Sequence, residues 1–300
     1  MKILVIGDFH GKFQKKFGTL VKKEKIDLVV SLGDYSPFHY RKLWFKHCYG
    51  KDVELWEVIG KKKWKELILK DLKMAENSLN GLNKLPVPVY TVLGNIDWPA
   101  VDDISDFESS DNKSKKNNHP NYERTNALAK RIEKYKNIKR FDYKALKFGD
   151  YVFIGMRGHS VPGYVKSKAY RKHRKILDNL FKKFRKENKE GKVIFVSHNI
   201  AYDTKLDKIS MKAINFIRKN IKRKSKKKPN RHYGSKMARR VINRWQPFLH
   251  LGGHIHESVG KDNLGRTVLV NPGAAHEGRA VVIELSDEKK GKIKNLRFVK

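Results

Sequence analysis

Seven side chains of this sequence can bind a divalent cation, and each stands just after, or at the end of, a short apolar run. They are Asp8 and His10 in Asp8-Phe9-His10, Asp34 in Gly33-Asp34, and Asn95 in Gly94-Asn95-Ile96-Asp97. His198 in Ser197-His198-Asn199 follows, then His254 and His256 in Gly252-Gly253-His254-Ile255-His256. Two carboxylates, one amide and four imidazoles form a mixed nitrogen and oxygen donor set. Such a set suits manganese, iron, zinc, cobalt or nickel, and argues against calcium or magnesium alone. It can hold two cations, with one carboxylate bridging them. Taken alone, the last histidine pair reads equally well as a polar turn. If the strand over residues 248–251 continued through it, period-two alternation would aim both rings the same way.

Residues this far apart meet only if strands deliver them to one edge. Residues 2–7 and 27–32 are apolar without alternation, as in strands buried on both faces, and residues 11–25 between them have helical spacing. That order implies a strand–helix–strand crossover with parallel pairing. Further strands are expected over 89–93, 192–197 and 248–251, with closing strands over 267–270, 280–285 and 292–299. Residues 141–146 and 151–155 flank Phe148-Gly149-Asp150, a hairpin signal. In parallel-rich α/β folds the carboxyl ends of the strands share an edge, where sites form. The seven residues are expected there together.

The chain is expected to form one domain over residues 1–300, interrupted three times. Residues 36–84 form a helical insertion, its apolar spacing running from Trp56 to Leu72, with Gly81 as a stop signal. Residues 102–121 are polar and low in complexity, and read as a mobile surface loop. Residues 201–245 form a basic insertion that is densest in positive charge over 218–228 and closes with a helix capped by Ser235. A second basic helix is expected over 166–189.

Lys and Arg number 68 against 31 Asp and Glu, a formal charge of +37. Polyanions are the natural partners of such a field, and nucleic acid through the basic runs is the first candidate. A generally basic proteome is the bland alternative. The one cysteine, Cys48, excludes an intrachain disulfide, and the N-terminal apolar run is too short for a signal peptide. No apolar run is long enough to span a membrane. A cytoplasmic location is expected; oligomeric state is not legible.

The ordered motifs Asp-x-His, Gly-Asp, Gly-Asn-x-Asp, His and Gly-His-x-His resemble those of the calcineurin-like metallophosphoesterase superfamily. The resemblance covers residues 1–35, 87–97, 192–199 and 248–285, but not the insertions. Asn271-Pro272-Gly273-Ala274 is similar to a turn of the smaller prokaryotic phosphodiesterase-like branch. The resemblance implies an α/β fold: a four-layer α/β/β/α sandwich of two mixed β-sheets, with a dinuclear metal site at the strand C-terminal edge. It implies that Asp8, His10 and His256 hold a first metal and that Asp34 bridges to a second, completed by Asn95, His198 and His254. Manganese is favoured. Asp34, Asn95 and His198 would also be catalytic. Two cations about 3.5–4 Å apart would activate a hydroxide and offset charge in an in-line displacement at phosphorus.

The implied activity is hydrolysis of a phosphate ester, first as a phosphodiesterase on nucleic acid or nucleotides. The alternatives are a phosphomonoesterase on a small metabolite or phosphoprotein, and a non-catalytic RNA- or protein-binding scaffold. In one departure, Ile96 stands where much of the family has a histidine that stabilises the reacting phosphate or protonates the leaving group. Arg157, His159 and His232 are candidate substrate residues, and Asp97 a candidate for orienting a metal ligand. His39, His47, His119, His173, His250 and His276 read as structural or solvated.

Overall fold

Strand β1 (Lys2–Ile6) is buried along nearly its whole length, which explains its unbroken apolar run. Ile3 and Val5 enter one core; Leu4 and Ile6 enter another on the opposite face. The computed structural model describes residues 1–48, 51, 53–97, 127–159, 165–220 and 231–300. The expected mobile loop and residues 221–230 of the basic run lie outside them.

After β1 come α1 (Lys16–Lys23), β2 (Leu28–Ser31), α2 (Arg41–His47), α3 (Leu55–Ile59) and α4 (Lys61–Asn83). Then follow β3 (Val89–Thr91), α5 (Ala127–Ile132), β4 (Ile138–Arg140), β5 (Ala145–Phe148) and β6 (Tyr151–Met156). The next group is α6 (Lys168–Lys183), α7 (Arg185–Lys189), β7 (Val193–Asn199), α8 (Met211–Asn220) and α9 (Lys236–Trp245). The chain closes with β8 (Leu249–Gly253), β9 (Gly260–Leu264), β10 (Thr267–Asn271), β11 (Ala280–Leu285) and β12 (Ile293–Val299).

These strands form two six-stranded sheets, ordered β12-β11-β1-β2-β3-β4 and β5-β6-β7-β8-β10-β9. Strands β1 to β4 pair in parallel, as do β6, β7, β8 and β10; the outer pairings are antiparallel. Between the sheets, Ile3, Val5, Val30 and Val92 of one meet Phe153, Ile194, Val196 and Leu251 of the other. On the outer face of the first sheet Leu4, Ile6 and Val29 share a core with Phe17, Val21, Leu72 and Leu79 of the helices. On the outer face of the second, Val193 and Phe195 share one with Leu177, Phe181, Val241 and Ile242. The result is the expected four layers, with two mixed sheets at the centre.

One expected helix-end signal holds and another fails. Ser235 caps α9, accepting from the Ala238 N–H at 3.0 Å. Gly81 does not stop α4, which runs on to Asn83. It is glycine because a Cβ there would meet the Phe13 ring at 2.4 Å. The helical spacing running from Trp56 to Leu72 is split at Gly60, and the helix expected over 166–189 at Phe184. Strands β4 and β9 were not anticipated. The two insertions touch each other: Phe45 of α2 packs its ring against Phe216 of α8, centroids 5.3 Å apart.

The exits of β2 and β3 lie very close. Gly33 has φ +84°, and a Cβ on it would fall 2.2 Å from the Gly94 nitrogen and 2.7 Å from the Leu93 carbonyl carbon. Backbone cannot yield as a side-chain tip can. Gly33→Ala is therefore expected to lower stability by at least about 2 kcal/mol and to push Asp34 and Asn95 apart. Urea unfolding and divalent-metal titration check both effects, and wild-type values would refute the close approach.

Candidate metal centre

The site forms where the parallel strands end. Asp8 and His10 follow β1, Asp34 follows β2, Asn95 and Asp97 follow β3, His198 lies near the end of β7, and His254 and His256 follow β8. Asp8, His10, Asp34 and His254 have φ of 59°, 46°, 56° and 74°, in the left-handed region. Asp, Asn and His enter this region more readily than most residues, yet each such position costs about 1–3 kcal/mol. Strand β8 ends at Gly253, so strand alternation does not govern the two histidines beyond it. They do not point to one place: His254 joins Asp34 and His198, and His256 joins His10.

Donor atoms converge. His198 Nε2 lies 2.8 Å from Asn95 Oδ1, 3.3 Å from His254 Nδ1 and 3.4 Å from Asp34 Oδ2. His10 Nε2 lies 3.2 Å from His256 Nε2, which is 3.2 Å from Asp8 Oδ1. The Asp34 carboxylate is shared between groups, since Asp34 clusters with His198 and His254 and also with Asp8 and His10. His198 donates from Nδ1 to the Leu32 carbonyl at 2.8 Å, and His10 Nδ1 faces the Ser36 carbonyl at 3.3 Å. A carbonyl only accepts, so each ring carries its proton there and turns a lone pair inward. Lone pairs then face lone pairs and carboxylate oxygens. Asp8 Oδ1 is buried with no hydrogen-bond donor. Divalent cations are what such a donor set fits.

The electrostatics agree. Burial pushes the Asp8 carboxyl up, but His256, His198 and His10 outweigh it and hold it below the ordinary range. Burial, with Asp8 nearby, raises Asp34 well above it. Burial lowers His10 to about 4, and lowers His198 and His254 as well, keeping these rings neutral and able to ligate. His256 alone is raised: burial works against its charge, but Asp8 prevails.

Asp97 holds the frame. Its Oδ2 accepts from the Asp34 and Gly94 N–H groups, each at 2.7 Å, and its Oδ1 from Tyr35 at 2.7 Å and Ser36 at 3.2 Å. One buried carboxylate thus ties the Asp34 turn to the Asn95 turn. Burial and the charge of Asp34 raise it to about 7. His159 is fully buried, its Nε2 2.7 Å from Ser235 Oγ and its N–H donating to Asn199 Oδ1 at 3.0 Å. Arg157 is buried near Asp142, whose carboxyl it helps to lower against burial. His232 pairs through Nδ1 with Asp207 Oδ1 at 2.6 Å. Gly158 lets the loop after β6 touch the site, since a Cβ there would lie 2.3 Å from the Asn95 nitrogen.

Sequence reasoning missed His276. It groups with His10 and His256, ring nitrogens of the three lying within 4.8 Å of one another. The rule that found the others would have reached it, because it follows β10, a strand parallel to β8.

A family model for calcineurin-like phosphoesterases matches residues 1–258. None of the curated proteins matches the chain. One crystal structure has a TM-score of 0.57 at 18% identity, covering 99% of this chain and 98% of that one, a likeness of fold. A dimetal phosphatase from Danio rerio has a TM-score of 0.49 at 10% identity, with 96% and 93% covered. A novel archaeal phosphodiesterase has a TM-score of 0.37 at 11% identity, with 100% and 99% covered.

Removing the Asp97 carboxylate should loosen both ligand turns at once. Asp97→Ala leaves buried backbone donors without an acceptor and should lower stability by about 3 kcal/mol or more. It should also weaken metal binding roughly 10- to 100-fold. Calorimetric metal titration beside urea unfolding measures the pair, and unchanged affinity in a folded variant would contradict the orienting role.

Proposed function

The chain belongs to the calcineurin-like phosphoesterase family, and from that premise we propose that it is a two-metal phosphodiesterase acting on nucleic acid or nucleotides. The observation that carries the proposal is the paired donor set with Asp34 common to both halves. Asp8, His10 and His256 serve the first cation, and Asn95, His198 and His254 the second. Bound there, divalent cations would supply Lewis acidity to a phosphate ester and acidify water for attack. Manganese leads the candidates, with iron, zinc, cobalt and nickel sharing the donor preference.

The protein's own groups do the positioning. The Leu32 and Ser36 carbonyls fix the His198 and His10 rings, and Asp97 sets the spacing of Asp34 and Asn95. The Ile96 side chain has no proton to give a departing oxygen; its backbone N–H donates to Asp34 Oδ1 at 3.2 Å. Substrates with a good leaving group suffer least from that, and an activated diester is the natural probe. All seven donors of the motif are present, which speaks against a non-catalytic scaffold.

The charge supports a polyanionic substrate, and the two basic runs are not equivalent. Helix α6 connects the parallel strands β6 and β7, so it runs away from the metal edge. Lys182 and Lys183 close this 16-residue helix, about 21–23 Å along its axis from its first residue. The basic insertion begins beside the site instead: the Ser210 N–H, just before α8, donates to Glu257, the neighbour of His256, at 2.7 Å. Phosphate attraction through that insertion is the reading we favour.

With manganese, the protein should hydrolyse bis-p-nitrophenyl phosphate faster than p-nitrophenyl phosphate, and Asp34→Asn should abolish turnover. A faster monoester reaction would transfer the proposal to a phosphomonoesterase, and no turnover with any divalent metal would favour the scaffold. Deleting residues 222–228 should weaken RNA or DNA binding and flatten its salt dependence while sparing bis-p-nitrophenyl phosphate hydrolysis. Unchanged nucleic-acid affinity after that deletion would end the polyanion role.

A further inference from the structure

We infer that His276 is a third imidazole ligand of the first metal position, beside His10 and His256; this rests on the two-metal reading above. His276 sits in the short helical turn Ala275–Glu277 after β10. That turn is stitched to the exit of β1. The Ala275 N–H donates to the Gly7 carbonyl at 2.7 Å, the His276 N–H to the Asp8 carbonyl at 3.3 Å, and Gln14 Nε2 to the His276 carbonyl at 2.7 Å. The ring is fixed as well, for Nδ1 lies 2.9 Å from the Asp8 carbonyl. A carbonyl only accepts, so the proton is on Nδ1 and the Nε2 lone pair is left to bind. One ring nitrogen oriented by a carbonyl and the other turned to the ion is the usual bearing of a ligating histidine. His198 has the same bearing through the Leu32 carbonyl.

The three rings converge. His276 lies 5.0 Å from His10 and 5.4 Å from His256 between centroids, with interplanar angles of 80° and 67°. Edge-on rings around one point, with ring nitrogens within 4.8 Å of one another, suit a shared ion better than packing. The first position then offers three imidazoles with Asp8, and the second two imidazoles with Asn95, Asp34 being common. Nitrogen-rich ligation suits zinc, iron or nickel more than manganese. The two positions therefore differ in the metal they prefer, which the seven-residue motif alone does not predict.

Calorimetric titration of chelator-treated protein with zinc and with manganese, alongside metal analysis and melting of the metal-free protein, tests the inference. Wild type should take two ions. His276→Ala should bind at one position at least about tenfold more weakly, more so for zinc, with the other position and the metal-free melting temperature unchanged. His276→Gln, which keeps a donor for the Asp8 carbonyl, should behave like His276→Ala. Two wild-type affinities in His276→Ala, or full recovery in His276→Gln, would show that the ring only braces the turn and would overturn the ligand role. A wild-type protein that takes fewer than two ions would overturn the two-metal reading itself, and this inference with it.

Discussion

Converging lone pairs are the constraint on which the rest of the structure depends. Asp8 and Asp34 are buried together, and the lone pairs of His198, His254 and His10 gather around them. Left to itself such a set repels. It is held by backbone: Asp8, His10, Asp34 and His254 are kept in left-handed conformations, and Asp97 clamps two of the turns. Residues so placed persist only where the surroundings over-determine them. Here the surroundings are two sheets whose strands are packed on both faces, so the turns beyond the strand ends have little room to relax.

The framework was legible because its physics is local. Strands buried on both faces must be apolar without alternation along their interiors, and residues 3–6 of β1, 28–30 of β2 and 193–196 of β7 are. A donor residue just beyond such a strand is placed by the parallel pairing itself. What escaped was whatever depends on a distant partner. Gly81 resembles a helix stop in sequence, and only the ring of Phe13, far away in the chain, explains it. Strand β4 is three residues long with one of them buried, too short for any periodicity. Strand β9 is Gly260–Leu264, mostly polar, and exists because β10 pairs with it. His254 and His256 read as a matched pair only while the strand was imagined to continue past Gly253.

The same distinction separates the candidate metal ligands from the candidate substrate residues. His159 is a candidate by type, but burial and its bond to Ser235 spend it on joining the loop after β6 to the start of α9. Arg157 is buried, and its charge helps to lower the Asp142 carboxyl against burial. Charge shows a similar contrast between composition and placement. The net charge of +37 describes the whole surface, whereas the direction of α6 decides which lysines lie near the metal edge. A field summed over the chain steers a polyanion toward the protein; only the local arrangement orients it.

The ring contact between Phe45 and Phe216 joins segments that leave the framework at different places, one after Asp34 and the other after His198. The two insertions leave from opposite sheets, and among the described residues the rings of Phe45 and Phe216 join them. The contact thus ties an excursion of one sheet to an excursion of the other outside the core that the sheets share.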